Sequence, residues 1–180
     1  LDHVATSATP TQKGGNLALQ ATIRNHRHCD AHATLAVSIS DAEGNRLAHW
    51  IRDRTFIAAG ATSEIVLEDA MPGVKPWSPE TPHLYTLEVT LQEADKPLET
   101  HRIRVGFRTL EVVDGALHLN GEPVMLTGFN RHEDSPDRAM SPEPDIVRRD
   151  LNKMKDAGAN FVRLCHYPHD PSELDLCDEI

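Results

Sequence analysis

From residue 1 to about residue 105, apolar and polar positions alternate with period two. Leu17, Leu19, Ala21 and Ile23 fall on one side of an extended chain, and Leu35, Val37 and Ile39 repeat the pattern in the next run. Asp41-Ala42-Glu43-Gly44-Asn45 is a turn cluster between runs. Residues 46–57, 63–67, 84–91 and 99–105 read as further strands. Short strands broken by Gly, Pro and Asp clusters predict an antiparallel sandwich of immunoglobulin type. The Cys…Trp…Cys spacing of antibody domains is missing from the sequence. Pro76-Trp77-Ser78-Pro79-Glu80-Thr81-Pro82 holds too much proline for a central strand and is expected to be a loop.

The register changes over residues 106–123. Asp114-Gly115 and Asn120-Gly121 predict hairpin turns, with Leu117, Leu119 and Val124 as the apolar positions around them. This short hairpin is expected to cap the bottom of the C-terminal part of the chain. From Val124 the pattern becomes strand, loop, helix, strand, loop, helix. The first strand is the apolar run 124–129, ending in Asn130-Arg131-His132-Glu133-Asp134. The second is 160–164, ending in Cys165-His166-Tyr167-Pro168. Between them Ser141 and Pro142 suit an N-cap and first helical residue, Val147, Leu151 and Met154 recur at helical spacing, and Gly158 is a stop. Ser172 is expected to cap a second helix with Leu174 and Cys177 on one face. Parallel strands that each end in a polar cluster are how a (β/α)8 TIM barrel builds its active-site rim. The expected fold is therefore an all-β immunoglobulin-like sandwich over residues 1–107, followed over residues 108–180 by the first two βα units of a TIM barrel. A complete barrel needs eight such units and about 250 residues. The chain is accordingly expected to be a piece of a longer polypeptide, as its mid-chain-like start, Leu1-Asp2-His3, also suggests.

Composition narrows the partners. The net charge of −10 is spread along the 180 residues, with no basic patch, so neither nucleic acid nor an anionic membrane is an expected partner. No apolar run reaches the ~20 residues of a membrane-spanning helix. Three cysteines, Cys29, Cys165 and Cys177, lie far apart, which fits a reducing compartment, and a cytoplasmic location is expected. No signal peptide is evident at the start.

Arg163 is flanked by Phe161, Val162 and Leu164 and is expected to be buried, where it needs a carboxylate. That partner is either a catalytic group held ionised or a structural ion pair inside the barrel. His166 lies three residues on, where Pro168 biases Tyr167 to an extended conformation and bends the strand end. Its imidazole can bond a sugar hydroxyl or simply the loop backbone. The adjacent carboxylates Glu133 and Asp134 point apart on an extended chain. They suit a solvated loop, or neutralisation of Arg131 and Arg163, better than paired acid/base work. Asp150, Asp156 and Glu173 are expected on solvated helix faces. His132, His166, His169 and Cys165 could ligate a metal, but no CxxC, HxxxH or HExxH spacing supports this, and no metal site is expected.

Five stretches together resemble the family 2 glycoside hydrolases, the group of β-galactosidases and β-glucuronidases. They are residues 76–85, Gly106-Phe107-Arg108-Thr109, residues 119–124, residues 128–134, and Val162-Arg163-Leu164-Cys165-His166-Tyr167-Pro168. The resemblance implies a sugar-binding jelly-roll domain, an immunoglobulin-like sandwich and a catalytic barrel, of which this chain would hold the sandwich and barrel strands one and two. It implies a retaining mechanism with two carboxyls ~5–5.5 Å apart. Both would be glutamates beyond Ile180, so this chain alone is expected to be inactive. Arg163 is expected to hydrogen-bond the nucleophile, and His132 and His166 to line the sugar subsite. The resemblance further implies a carbohydrate substrate, a homo-oligomeric parent, and Mg²⁺ or Na⁺ in the parent with no ligand among the matched residues. The expected substrate is a terminal β-D-galactoside, with a β-glucuronide as the alternative. Two departures from the β-galactosidases are Cys165, where several have Ser, and His132-Glu133-Asp134-Ser135-Pro136, where many read His-Glu-His-His-Pro. A rival from another class is a non-catalytic β-sandwich interaction module.

Overall fold

The computed structural model describes residues 1–134 and 143–180. The chain divides into two compact units, one of residues Leu1–Trp77 with His83–Thr109, the other of Ser78–Pro82 with Leu110–Ile180. Each is built on its own core.

The first unit holds seven strands: β1 (His3–Thr11), β2 (Gly14–Arg24), β3 (Ala31–Ser40), β4 (Arg46–Ile57), β5 (Thr62–Pro72), β6 (Tyr85–Glu93) and β7 (Lys96–Val105). They form a three-stranded sheet in the order β1-β2-β5 and a four-stranded sheet in the order β4-β3-β6-β7, antiparallel throughout. The period-two pattern sets the faces. Leu17, Leu19, Ala21 and Ile23 of β2 share one buried core with Leu35, Val37 and Ile39 of β3 and Leu87, Val89 and Leu91 of β6. Each Leu, Ile or Val among them contributes about 1.5–3 kcal/mol by leaving water. Phe107, after β7, is wholly buried and packs edge-on against Tyr85 with ring centroids 5.4 Å apart. A Cβ at Gly15 would stand 2.3 Å from the Phe107 ring, so only glycine admits it there. The proline-rich segment is a loop as expected. Its Trp77 N–H donates to the Phe107 carbonyl at 2.9 Å, and the Tyr85 hydroxyl accepts from the Lys75 N–H at 2.7 Å. One tight turn has no glycine signal: β6 and β7 are joined through Ala94 and Asp95, both at positive φ (47° and 61°).

The second unit opens with a three-stranded meander, β8 (Leu110–Val113), β9 (Ala116–Leu119) and β10 (Glu122–Pro123). Both turns are the expected Asp-Gly and Asn-Gly pairs, with positive φ at each central residue, the backbone that matches strand twist. Then come β11 (Gly128–Arg131), α1 (Pro144–Asp156), β12 (Phe161–Leu164) and α2 (Pro171–Glu179). Strands β11 and β12 pair in parallel, with Asn130 opposite Arg163 and Arg131 opposite Leu164. The first strand begins at Gly128 rather than Val124. Before it, Asn160 brackets the incoming backbone: Oδ1 accepts from the Thr127 N–H at 2.8 Å and Nδ2 donates to the Met125 carbonyl at 2.9 Å. Helix α1 buries Val147 and Leu151, which cluster with Leu176 of α2 and with Val162 and Met154. Gly158 follows α1 at φ 89°, as expected of a stop. The expected Ser141–Pro142 start lies outside the described residues; the described helix begins at Pro144 with Glu143 as N-cap. In α2 the cap is Asp170, not Ser172. Pro171 takes the first helical position, and the Asp170 carboxylate accepts from the Ser172 N–H at 2.8 Å. Leu174 is exposed, and α2 buries Glu173 and Leu176 instead.

Candidate functional site

Parallel pairing brings the two polar clusters together. His132 follows β11, Cys165 and His166 follow β12, and the Cys165 N–H donates to the Arg131 carbonyl at 3.0 Å. The His132 and His166 rings are 5.4 Å apart, centroid to centroid. Both histidines are exposed. His166 adopts φ 68°, a conformation rare outside glycine, and strain of this kind gathers at functional sites.

Pleating separates two arginines that neighbour each other on the strand pair. Phe129, Arg131, Val162 and Leu164 point to one face; Gly128, Asn130, Phe161 and Arg163 point to the other. Val162 packs into the α1/α2 cluster, which identifies the first of these as the helix-covered face. Arg163, expected to be buried, is exposed together with Phe161. Its Nη1 donates to Asn130 Oδ1 at 3.5 Å and to Cys165 Sγ at 3.3 Å. No carboxylate pairs with Arg163 among the described residues. The expectation failed because Val162 and Leu164 report the burial of the opposite face.

The buried arginine is Arg131, which is 5% exposed. Its Nη1 donates to Glu173 Oε1 of α2, and its Nη2 lies 3.9 Å from Asp150 Oδ2 of α1. Arg131 Nε has no hydrogen-bond partner among the described residues. Glu173, expected to be solvated, is only 2% exposed. Its Oε2 faces His169 Nδ1 at 2.9 Å, while His169 Nε2 faces the Cys165 carbonyl at 3.4 Å. Glu133 Oε1 lies 3.5 Å from the same Nδ1 and accepts from the Asp170 N–H at 3.0 Å. Glu133 therefore serves His169 and the α2 entrance, not Arg131. Both nitrogens of His169 face acceptors, an arrangement that suits the imidazolium. Burial alone would lower the His169 pKa, but Glu173, the Cys165 carbonyl and Glu133 together raise it above 6.5. Tyr167 ties the two loops: its hydroxyl accepts from the Glu133 N–H at 2.8 Å and its ring stacks on His169 at 4.8 Å.

Sequence reading missed this Arg131–Glu173–His169–Glu133 network. The one signal was the four-residue spacing of His169 and Glu173. A hard cation such as Mg²⁺ takes oxygen ligands. The Glu133 and Glu173 carboxylates gathered here are already engaged by Arg131, His169 and the Asp170 N–H, so this cluster does not suit such an ion. A hollow lined by Phe129, Arg131, His132, Asp150, Lys153 and Met154 touches the site at His132, but its lining includes neither Arg163 nor His166.

Two family models match the chain, and both describe glycosyl hydrolases. Residues 2–108 match "Glycosyl hydrolases family 2", and residues 110–180 match "Glycosyl hydrolases family 2, TIM barrel domain". The chain belongs to family 2 of the glycosyl hydrolases. It is similar to a Formosa agariphila protein named for β-glucuronidase (34% identity over 173 residues, 96% of this chain and 20% of the relative). It is also similar to a Vibrio cholerae β-galactosidase (41% over 104 residues, 57% of this chain and 10% of the relative). The chain thus spans a fifth or less of the length of these curated relatives. Among solved structures it resembles Bacteroides uniformis β-glucuronidase 2, with a TM-score of 0.87 at 29% identity, covering 99% of this chain and 22% of that one. Relatives of both names occur, so the family is shown and the sugar is not.

Proposed function

We propose that this chain is the immunoglobulin-like sandwich and first two βα units of the catalytic barrel of a retaining β-glycosidase. The observation that carries the reading is the register of β11 and β12, which gathers His132, Arg163 and His166 at one pair of strand ends. Arg163 is a fixed cation on the face away from the helices, with no carboxylate of the described residues beside it. A glutamate from a later strand would meet a guanidinium able to hold it ionised for attack on the anomeric carbon. His132 and His166 would bond ring hydroxyls, more strongly as the sugar flattens toward the oxocarbenium ion. Acid/base and nucleophile are assigned to the parent polypeptide, and the 180-residue chain by itself is inactive.

For the sugar, a terminal β-galactoside is supported by the higher identity to β-galactosidases. A β-glucuronide is supported by the match through nearly the whole chain to a protein of that name. The test is hydrolysis of aryl β-galactoside, β-glucuronide, β-mannoside and β-glucoside by the parent. Turnover of one of them names the sugar. No turnover by a folded parent favours the interaction-module reading or a glycoside outside this panel.

A further inference from the structure

We propose that His132, Cys165 and His166 form a binding site for zinc-class cations, and that its occupation shuts the sugar subsite. The second half rests on the glycosidase reading. Two nitrogens and one sulfur from these residues lie within 4.8 Å of one another. Zinc holds such ligands at about 2.0–2.3 Å from the metal, which sets them roughly 3.5 Å apart. Closing from 4.8 Å takes side-chain movement of about an ångström, with the backbone already held by the Cys165 N–H bond to Arg131. The sequence shows no metal motif because the ligands come from two chain segments made neighbours by strand register.

The chemistry is selective. Imidazole and thiolate suit zinc, while Mg²⁺ and Na⁺ prefer oxygen. Cys165 is 1% exposed, and its sulfur contacts the Arg163 side chain (3.3 Å) and carbonyl (3.4 Å). An N–H directed at a metal-bound thiolate is a usual outer-shell contact. A second cluster, Glu133, His169 and Glu173, also has metal-like spacing, but the Arg131 guanidinium already neutralises it. With three protein ligands the fourth position of zinc is filled by water. The same two imidazoles cannot then serve the sugar.

The test uses Zn²⁺ and Co²⁺ with the 180-residue chain and with the parent. Cys29 is replaced by Ser throughout, because it lies in a segment with His26, His28 and His32. The expected result is one Co²⁺ per chain with a thiolate-to-cobalt charge-transfer band. The band should be lost in Cys165→Ser, with Zn²⁺ bound at least ~10-fold more weakly. Zinc is expected to raise the KM of the parent without lowering kcat. Absence of the band, or equal zinc affinity in Cys165→Ser, overturns the site. Zinc bound without a change in KM overturns the closure. A parent that hydrolyses no glycoside while the band persists refutes the glycosidase reading and leaves the metal site standing.

Discussion

Replacing Glu173 by Gln isolates the buried charge network of the second unit. Arg131 and Glu173 are 5% and 2% exposed, so water cannot take over when the carboxylate loses its charge. Breaking such a pair from one side costs about 3–5 kcal/mol, because the remaining charge stays buried and uncompensated. Two features place this case near the lower bound: Asp150, 32% exposed, stands 3.9 Å from Arg131, and a glutamine oxygen can still accept one hydrogen bond. About 3 kcal/mol corresponds to a ~10²-fold change in an opening equilibrium at 1.4 kcal/mol per tenfold. The assay is hydrogen exchange of the amides in α1, β12 and α2, with Leu35 and Val89 of the sandwich as internal controls. Exchange in the helical unit should accelerate at least ~100-fold, or lose protection altogether, while the controls hold. Both tryptophans, Trp50 and Trp77, lie in the sandwich unit, so their emission midpoint in urea should not move. A companion variant, Arg131→Leu with Glu173→Leu, should recover most of the loss, since apolar replacement of a whole buried pair is close to neutral. Protection within threefold of the parent chain in Glu173→Gln would refute the reasoning.

Four further outcomes are expected. The raised pKa of His169 means that its stabilisation is complete below pH 6.5 and fades as pH climbs through the raised value; exchange in α2 should quicken across that range, and a flat profile would contradict it. Gly128→Ala should separate β11 from β12, since a Cβ there would stand 1.7 Å from the Phe161 carbonyl oxygen; unchanged amide protection at Val162 would count against this. In the parent enzyme, Arg163→Ala should lower kcat by about 10²–10³-fold with little change in KM, and an equal loss in Arg163→Lys would show that more than charge is needed. Burial pushes the Cys177 thiol up to about 11, so exposed Cys29 should alkylate first at pH 8, as peptide mapping would show.

Strands with a clean period of two were legible because alternation and burial report the same face. Leu17 to Ile23 and Leu35 to Ile39 could be placed before any contact was known, and the Asp-Gly and Asn-Gly turns state their backbone directly. The short strands of the second unit were legible only in part. Four residues, Phe161 to Leu164, carry apolar side chains on both faces, so their pattern cannot say which face the helices cover. That ambiguity exchanged the surroundings of Arg163 and Arg131. Glu173 was misread for a related reason: nothing local tells a carboxylate on a nine-residue helix that a guanidinium arrives from a strand 42 residues earlier. The start of α2 shows a smaller failure, since Asp170 and Ser172 are both good caps and Pro171 decides between them.

The placement of Arg131 and Arg163 on opposite faces of one strand pair has a consequence for how such a protein can change over time. One guanidinium locks the scaffold to its helices; the other is exposed on the far face, where the proposed sugar contacts would form. A backbone lies between them, so residues on the exposed face can change while the lock persists. Duplicated descendants could diverge in what they accept without first having to learn again how to fold.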